Sequence, residues 1–125
     1  MEIELYKCTV CGQVMAVIKD TGNPVRCCGK PMEHLVPCTT DGAFEKHVPV
    51  YTIEDGVIKV TVGEFEHPML ADHYIEWIAV MTKNGVFMKK DLMPGMRPKA
   101  TFPLLNGDEV EAVYAYCNLH EFWKA

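Results

Sequence analysis

The sequence predicts a mainly β protein in two parts, a small metal-bound segment over residues 1–36 followed by an immunoglobulin-like antiparallel β-sandwich over residues 37–125. Three observations carry this reading. Four of the six cysteines stand within the first 28 residues. Short strand-type runs separated by turn dipeptides fill the remainder, and no run has helical periodicity.

The first segment has little apolar bulk, so it needs a staple to be stable, and a bound metal ion would supply one. From about Met32 to Gly42 the pattern becomes linker-like, with Pro37, two threonines and Asp41-Gly42. Strand-type runs then follow at Val48–Glu54, Val57–Val62, Tyr74–Thr82, Val86–Leu92, Ala100–Leu105 and Glu109–Tyr116. Asp55-Gly56 and Asn84-Gly85 suit tight hairpins in which both central residues take positive φ. Val110, Ala112, Tyr114 and Tyr116 alternate with Glu109 and Glu111, which predicts a strand with that apolar face buried. Six or seven antiparallel strands in about 85 residues fit a sandwich.

The totals exclude several classes of function. A chain of 125 residues with 49% apolar and 23% charged residues packs into a globule. The formal net charge of -5 argues against nucleic acid, which needs a basic surface. No apolar stretch is long enough to span a membrane, and the opening MEIELYKC does not read as an export signal. The expected compartment is the reducing cytoplasm, where cysteines serve as metal ligands or free thiols more often than in disulfides.

Cys8-Thr-Val-Cys11-Gly12 is a metal knuckle, because two intervening residues let both thiolates converge on one ion. The adjacent pair Cys27-Cys28 completes a four-cysteine set. Four cysteines alone suit structural zinc as well as iron. The adjacent pair departs from the repeated two-residue spacer of zinc ribbons and strains the sulfur–metal–sulfur angle, which shifts the reading toward iron.

Four of the five histidines, His47, His67, His73 and His120, lie in the second part, with Cys117 three residues before the last. A lone histidine in a sandwich is usually an ordinary surface or core residue. Here the alternating strand directions bring all five candidates to one pole. Imidazoles with a thiolate suit a borderline-to-soft transition ion, and five donors leave a sixth position for a small molecule, which points to iron. Two other readings remain: an electron carrier using only the four-cysteine site, and a zinc knuckle fused to a sandwich binding module with incidental histidines.

The knuckle with Cys27-Cys28, then Glu45-Lys46-His47-Val48-Pro49, His67-Pro68-Met69, His73-Tyr74-Ile75-x-Trp77 and Cys117-Asn118-x-His120, together resemble desulfoferrodoxin, the two-iron superoxide reductase family. The resemblance covers nearly the whole chain. It implies a desulforedoxin- or rubredoxin-like first domain holding one iron on Cys8, Cys11, Cys27 and Cys28. It implies a second iron held equatorially by His47, His67, His73 and His120, with Cys117 as the axial thiolate. The implied reaction is one-electron reduction of superoxide to hydrogen peroxide, without dioxygen, at ferrous iron that a donor such as rubredoxin re-reduces.

The resemblance also implies that Lys46 steers or hydrogen-bonds the substrate, that Glu45 occupies the sixth position in the ferric state, and that the chain is a homodimer. Without the motif, Glu45 and Lys46 would be a solvated charged pair. Arg97 and Lys99 are further candidates for steering from a loop at the metal pole, and Asn118 for shaping the thiolate's surroundings through its backbone amide. Cys38 and His34 match no motif, and Trp77, Trp123 and the tyrosines read as core or rim packing. The family usually has glycine after the last histidine, where this chain has Glu121, which bears on rate and potential more than on ligation.

Overall fold

The computed structural model describes residues 2–41 and 47–125, which form two compact units, Glu2–Val36 and Pro37–Ala125. All regular structure among the described residues is β-strand, and none is a helix long and apolar enough to cross a membrane.

In the first unit the strands are β1 (Glu4–Lys7), β2 (Val14–Val17), β3 (Arg26–Cys27), β4 (Lys30–Pro31) and β5 (Glu33–Leu35). They form a three-stranded antiparallel sheet in the order β2-β1-β5 and a separate β3-β4 hairpin. Leu5 pairs with Leu35 across the sheet. Leu5, Leu35, Met32 and Cys8 are the unit's buried apolar residues, too few to hold about 35 residues without a staple. The linker expected from Met32 begins later, because Met32 is buried and β5 pairs with β1. His34 on β5 pairs with Glu4 and packs against the Tyr6 ring.

The second unit contains β6 (Pro49–Glu54), β7 (Val57–Val62), β8 (Ile75–Thr82), β9 (Phe87–Asp91), β10 (Lys99–Pro103), β11 (Val110–Cys117) and β12 (Glu121–Lys124). Two antiparallel sheets result, β10-β7-β6 and β12-β11-β8-β9. Their inner faces meet in one core. Ile58, Val60, Val62, Ala100 and Phe102 come from the first sheet, and Ile78, Val80, Val113, Ala115 and Cys117 from the second. The alternation of β7 and β10 has a simple cause: one face of each lies on this core while the other is wet.

Three sequence expectations need correction. β11 is buried on both faces, so its core face is Val113, Ala115 and Cys117 rather than the tyrosine side. The tyrosine side is covered by an aromatic layer in which Tyr114 stacks on Phe122 at 5.2 Å and Tyr116 on Trp77 at 5.5 Å. At Asp55-Gly56 both φ angles are positive, 49° and 72°, but in the second hairpin only Gly85 is, at 84°. The Thr82 hydroxyl accepts from the Val86 amide at 3.1 Å there, so side-chain bonding replaces the second left-handed residue. Finally, β12 is an additional strand, whose four residues are too few to show alternation in the sequence.

Ile78 is fully buried between the sheets. Ile78→Ala is expected to lower the unfolding free energy by about 2–5 kcal/mol. Urea unfolding followed by circular dichroism measures it, and a loss well below that range would place Ile78 outside the core.

Candidate metal centres

The four-cysteine set is built by two turns. After β1 the chain folds back at Cys8, whose carbonyl accepts from the Gly12 amide at 3.0 Å, and Gly12 takes φ 80°. The adjacent pair sits at the β3-β4 hairpin, where Cys28 and Gly29 are the two central residues with φ 51° and 75°. That left-handed backbone turns Cys28 toward Cys27. The sulfurs of Cys11 and Cys27 stand 3.7 Å apart and those of Cys27 and Cys28 3.9 Å. Metal–sulfur bonds of about 2.3 Å place tetrahedral sulfurs about 3.8 Å apart, so the set fits a four-coordinate ion.

The protons of this set are unevenly held. The Cys11 and Val10 amides aimed at the Cys8 sulfur bring its thiol down to about 6, so it is a ready thiolate at neutral pH. The neighbouring sulfurs of Cys8 and Cys11 push Cys27 up to about 12. Cys8 forms a thiolate easily while Cys27 and Cys28 resist, which a cation at the centre reverses.

The second set brings together His47, His67, His73, Cys117 and His120, whose donor atoms all lie within 4.8 Å of one another. The four imidazoles form a cycle. Ring centroids are 4.5 Å apart for His47 and His67, 4.7 Å for His67 and His73, 5.2 Å for His73 and His120, and 4.8 Å for His120 and His47. The His47–His73 diagonal is 6.4 Å. A diagonal longer than every side is the mark of a square, whereas in a tetrahedron all separations are equal. His47 Nε2 and His120 Nδ1 are 3.0 Å apart, the spacing of neighbouring nitrogens bonded at about 2.1 Å and a right angle. Cys117 Sγ lies 3.6 Å from His67 Nε2 and 3.7 Å from His120 Nδ1, off to one side of the cycle. Four imidazoles in a cycle with a thiolate beside two of them suit a five-coordinate transition ion. Cys117 and two of the histidines are buried, while His120 is exposed, so the centre reaches the surface.

Local structure explains each placement. His47 lies just before β6, with its amide and that of Val48 both donating to Asp41 Oδ1, at 2.5 and 2.8 Å. His67 Nδ1 donates to the Pro68 carbonyl at 2.7 Å, which fixes the tautomer and leaves Nε2 for a metal. His73 precedes β8, Cys117 ends β11 and His120 sits in the β11-β12 turn. A β-bulge decides what faces the thiolate. Tyr116 pairs with Trp77, but Cys117 pairs with Ile75, leaving Glu76 as the extra residue. Regular pairing would have set Glu76 opposite Cys117; the bulge substitutes an isoleucine.

Other candidates fare differently. Asn118 acts through its side chain, accepting from the Tyr74 amide at 2.9 Å and donating to the Asp72 carbonyl at 3.0 Å. It ties the His73 segment to the Cys117 turn, while its own amide donates to the Tyr74 carbonyl at 3.1 Å rather than serving the sulfur. Arg97 is paired with Glu66, and Lys99 opens β10 instead of lying in a loop. Cys38 bonds through its backbone to Phe122 and Lys124. Glu45 and Lys46 lie outside the described residues. Asp41 and the Glu76 bulge were missed in the sequence; an acid six residues before His47 was the only signal for the former.

Fold and sites together define a non-haem metalloprotein with a closed thiolate centre in a small β unit and a five-donor histidine–thiolate centre in a β-sandwich. The profile of the Desulfoferrodoxin family matches residues 39–125, and that of the Desulfoferrodoxin N-terminal domain matches residues 1–35. Desulfoferrodoxin from Nitratidesulfovibrio vulgaris is 46% identical over 99% of this chain and 96% of its own length. A desulfoferrodoxin homolog from Archaeoglobus fulgidus is 43% identical over 98% and 96%. Among solved structures, the superoxide reductase from Treponema pallidum superposes with a TM-score of 0.83 at 30% identity, covering 99% of this chain and 98% of its own. That from Giardia intestinalis gives 0.56 at 30% identity, covering 65% of this chain and 95% of its own. The chain belongs to the desulfoferrodoxin family, and its two donor sets match two iron centres, one of four cysteines and one of four histidines and a cysteine.

Glu121, directly after His120, takes φ 63°, a left-handed conformation costing a side-chain-bearing residue about 1–2 kcal/mol. Glu121→Gly removes that strain and adds unfolded-state freedom, for a net stabilisation of up to about 1 kcal/mol. The urea midpoint is expected to rise with an unchanged slope. A lower midpoint would mean that Glu121 side-chain contacts outweigh the strain.

Proposed function

We propose that the chain is a superoxide reductase that converts superoxide to hydrogen peroxide at the histidine–cysteine centre. It is an oxidoreductase acting on superoxide. The observation that supports this most directly is the donor count. Five donors converge, four imidazoles in a cycle and one thiolate, and among the described residues no sixth His, Cys, Asp or Glu joins them. A structural site closes its coordination, whereas one that leaves a position vacant can take a small ligand.

Iron held there by His47, His67, His73, His120 and Cys117 would supply the single electron that reduces superoxide, and two protons would complete hydrogen peroxide without dioxygen. The chain's residues set the conditions. Neutral imidazoles and one thiolate leave a ferrous centre with a net charge of +1, which attracts an anion despite a chain charge of -5. The buried Cys117 thiolate would raise electron density on a bound ion, as thiolates do in haem proteins. His67, whose Nδ1–H donates to the Pro68 carbonyl, presents Nε2 to the ion.

Lys46, next to His47 in sequence, is assigned to drawing in superoxide, and Glu45 to the sixth position in the oxidised state. The four-cysteine site is full at four ligands and serves as a staple or electron relay. The one-electron donor is a rubredoxin-like protein and the working form is a homodimer, both on the family resemblance, and the cytoplasmic location rests on the reading of the opening residues as no export signal. Incidental histidines would not close into a square beside a thiolate, which disfavours the binding-module reading.

Reduced protein mixed with superoxide is expected to yield one hydrogen peroxide per superoxide and no dioxygen. Cys117→Ser should abolish that consumption while sparing the four-cysteine spectrum. Dioxygen evolution, or full activity in the serine variant, would refute the assignment. Lys46→Ala should slow the encounter several-fold at low salt and flatten its salt dependence. An unchanged low-salt rate would return Lys46 to the solvated surface.

A further inference from the structure

We infer that Trp123 is a positioning residue of the histidine–cysteine centre, holding two of its ligands at once. The inference rests on the reading that this centre holds iron. The Trp123 indole stacks face to face on His47, with centroids 4.5 Å apart and planes 15° from parallel. Its Nε1–H donates to the His120 carbonyl at 3.0 Å. Those ligands are 73 positions apart in the chain, and one rigid ring system reaches both.

The indole acts on the two ligands in different ways. The His67 ring is fixed by its bond to the Pro68 carbonyl. Asp41 fixes the His47 backbone but not the rotation of its ring, and a flat indole against the imidazole face restricts that rotation. His120 sits in a three-residue turn and is exposed, so a bond to its carbonyl steadies the turn.

Trp123 is itself anchored. It is 8% exposed, pairs with Ala115 across β11-β12 and forms a parallel bridge with Cys38 on the other edge. The flanking bonds run from the Cys38 amide to the Phe122 carbonyl and from the Lys124 amide to the Cys38 carbonyl, both at 2.9 Å. This gives Cys38 a purpose that needs no thiol chemistry: its backbone brackets the strand that carries the indole. An indole donor tied to one ligand's carbonyl and stacked on another's ring sets the angle between two imidazole planes, and so the ligand field.

The test uses the full-length, two-iron protein with Trp123→Phe and Trp123→Leu. Phenylalanine keeps an aromatic face and loses the donor, while leucine loses both. Iron loss from the sandwich centre to a strong ferrous chelator is expected to accelerate about 10- to 100-fold in the leucine variant, with the phenylalanine variant between it and the parent. The thiolate-to-iron absorption band and the ferric electron paramagnetic resonance signal should shift in the same order. A ferric spectrum identical to the parent's in both variants, whatever the rate of loss, would assign Trp123 to packing alone and overturn the inference. If the leucine variant does not fold, the phenylalanine spectrum decides by itself. A parent protein without iron in this set would sink the proposed function and the inference together, whereas a loaded parent with unaffected variants would sink only the inference.

Discussion

Five donor groups within 4.8 Å of one another, two of them buried imidazoles and one a buried thiolate, form an arrangement that only a cation makes favourable. A thiolate out of water costs several kcal/mol unless a positive charge compensates it. Lone pairs turned inward repel for the same reason. The sandwich supports this convergence from strand ends: His47 before β6, His67 and His73 between β7 and β8, and Cys117 and His120 around the β11-β12 turn. Antiparallel pairing makes these positions neighbours, and the core holds them there. Cys117 belongs to the core and to the site alike, 0% exposed and packed with Ile75, Ile78 and Ala115.

The supporting contacts share the placement of the ligands among several weak bonds. Asp41 grips the backbone of His47, Pro68 the ring of His67, and Asn118 joins the His73 segment to the Cys117 turn. Each bond is worth about 1 kcal/mol alone. Their value is geometric, since a metal site tolerates errors of only a few tenths of an ångström. The first unit solves the same problem differently. Its adjacent cysteines converge because Cys28 accepts a left-handed backbone, so the strain lies in a turn rather than in an extended bonding network.

The fold and the donor sets were legible in the sequence because each leaves a periodic or spaced trace. Alternating runs and the Asp55-Gly56 turn announced β6 and β7 to the residue at their C-terminal ends, and the strand directions placed the five donors at one pole. What escaped were features without such a trace. The Glu76 bulge breaks alternation by one residue, which composition cannot register. β11 looked half-buried because its glutamates alternate with apolar residues, yet an aromatic layer from Trp77 and Phe122 covers the other face. The β12 strand and the double role of Trp123 depend on long-range contacts. Trp123 read as packing, which leaves out both the face stacked on His47 and the Nε1–H edge bonded to the His120 carbonyl.

Electrostatics connects these details to chemistry. A chain with a formal charge of -5 repels a small anion at long range, so capture depends on the field within a Debye length of the centre, about 8 Å at physiological salt. Using neutral imidazoles instead of carboxylates for four of five ligands keeps that local charge positive. Nearby acids are then the threat, and the fold deals with two of them. Glu66, beside His67, is paired with Arg97. Glu76 is displaced from opposite the thiolate by the bulge, on the side where its charge is felt by Tyr116, whose hydroxyl burial, with Glu121 and Glu76 adding, pushes up to about 12. A register slip that restored regular pairing would set a carboxylate against a thiolate in the core. The bulge is therefore as much an electrostatic requirement of the centre as a geometric one.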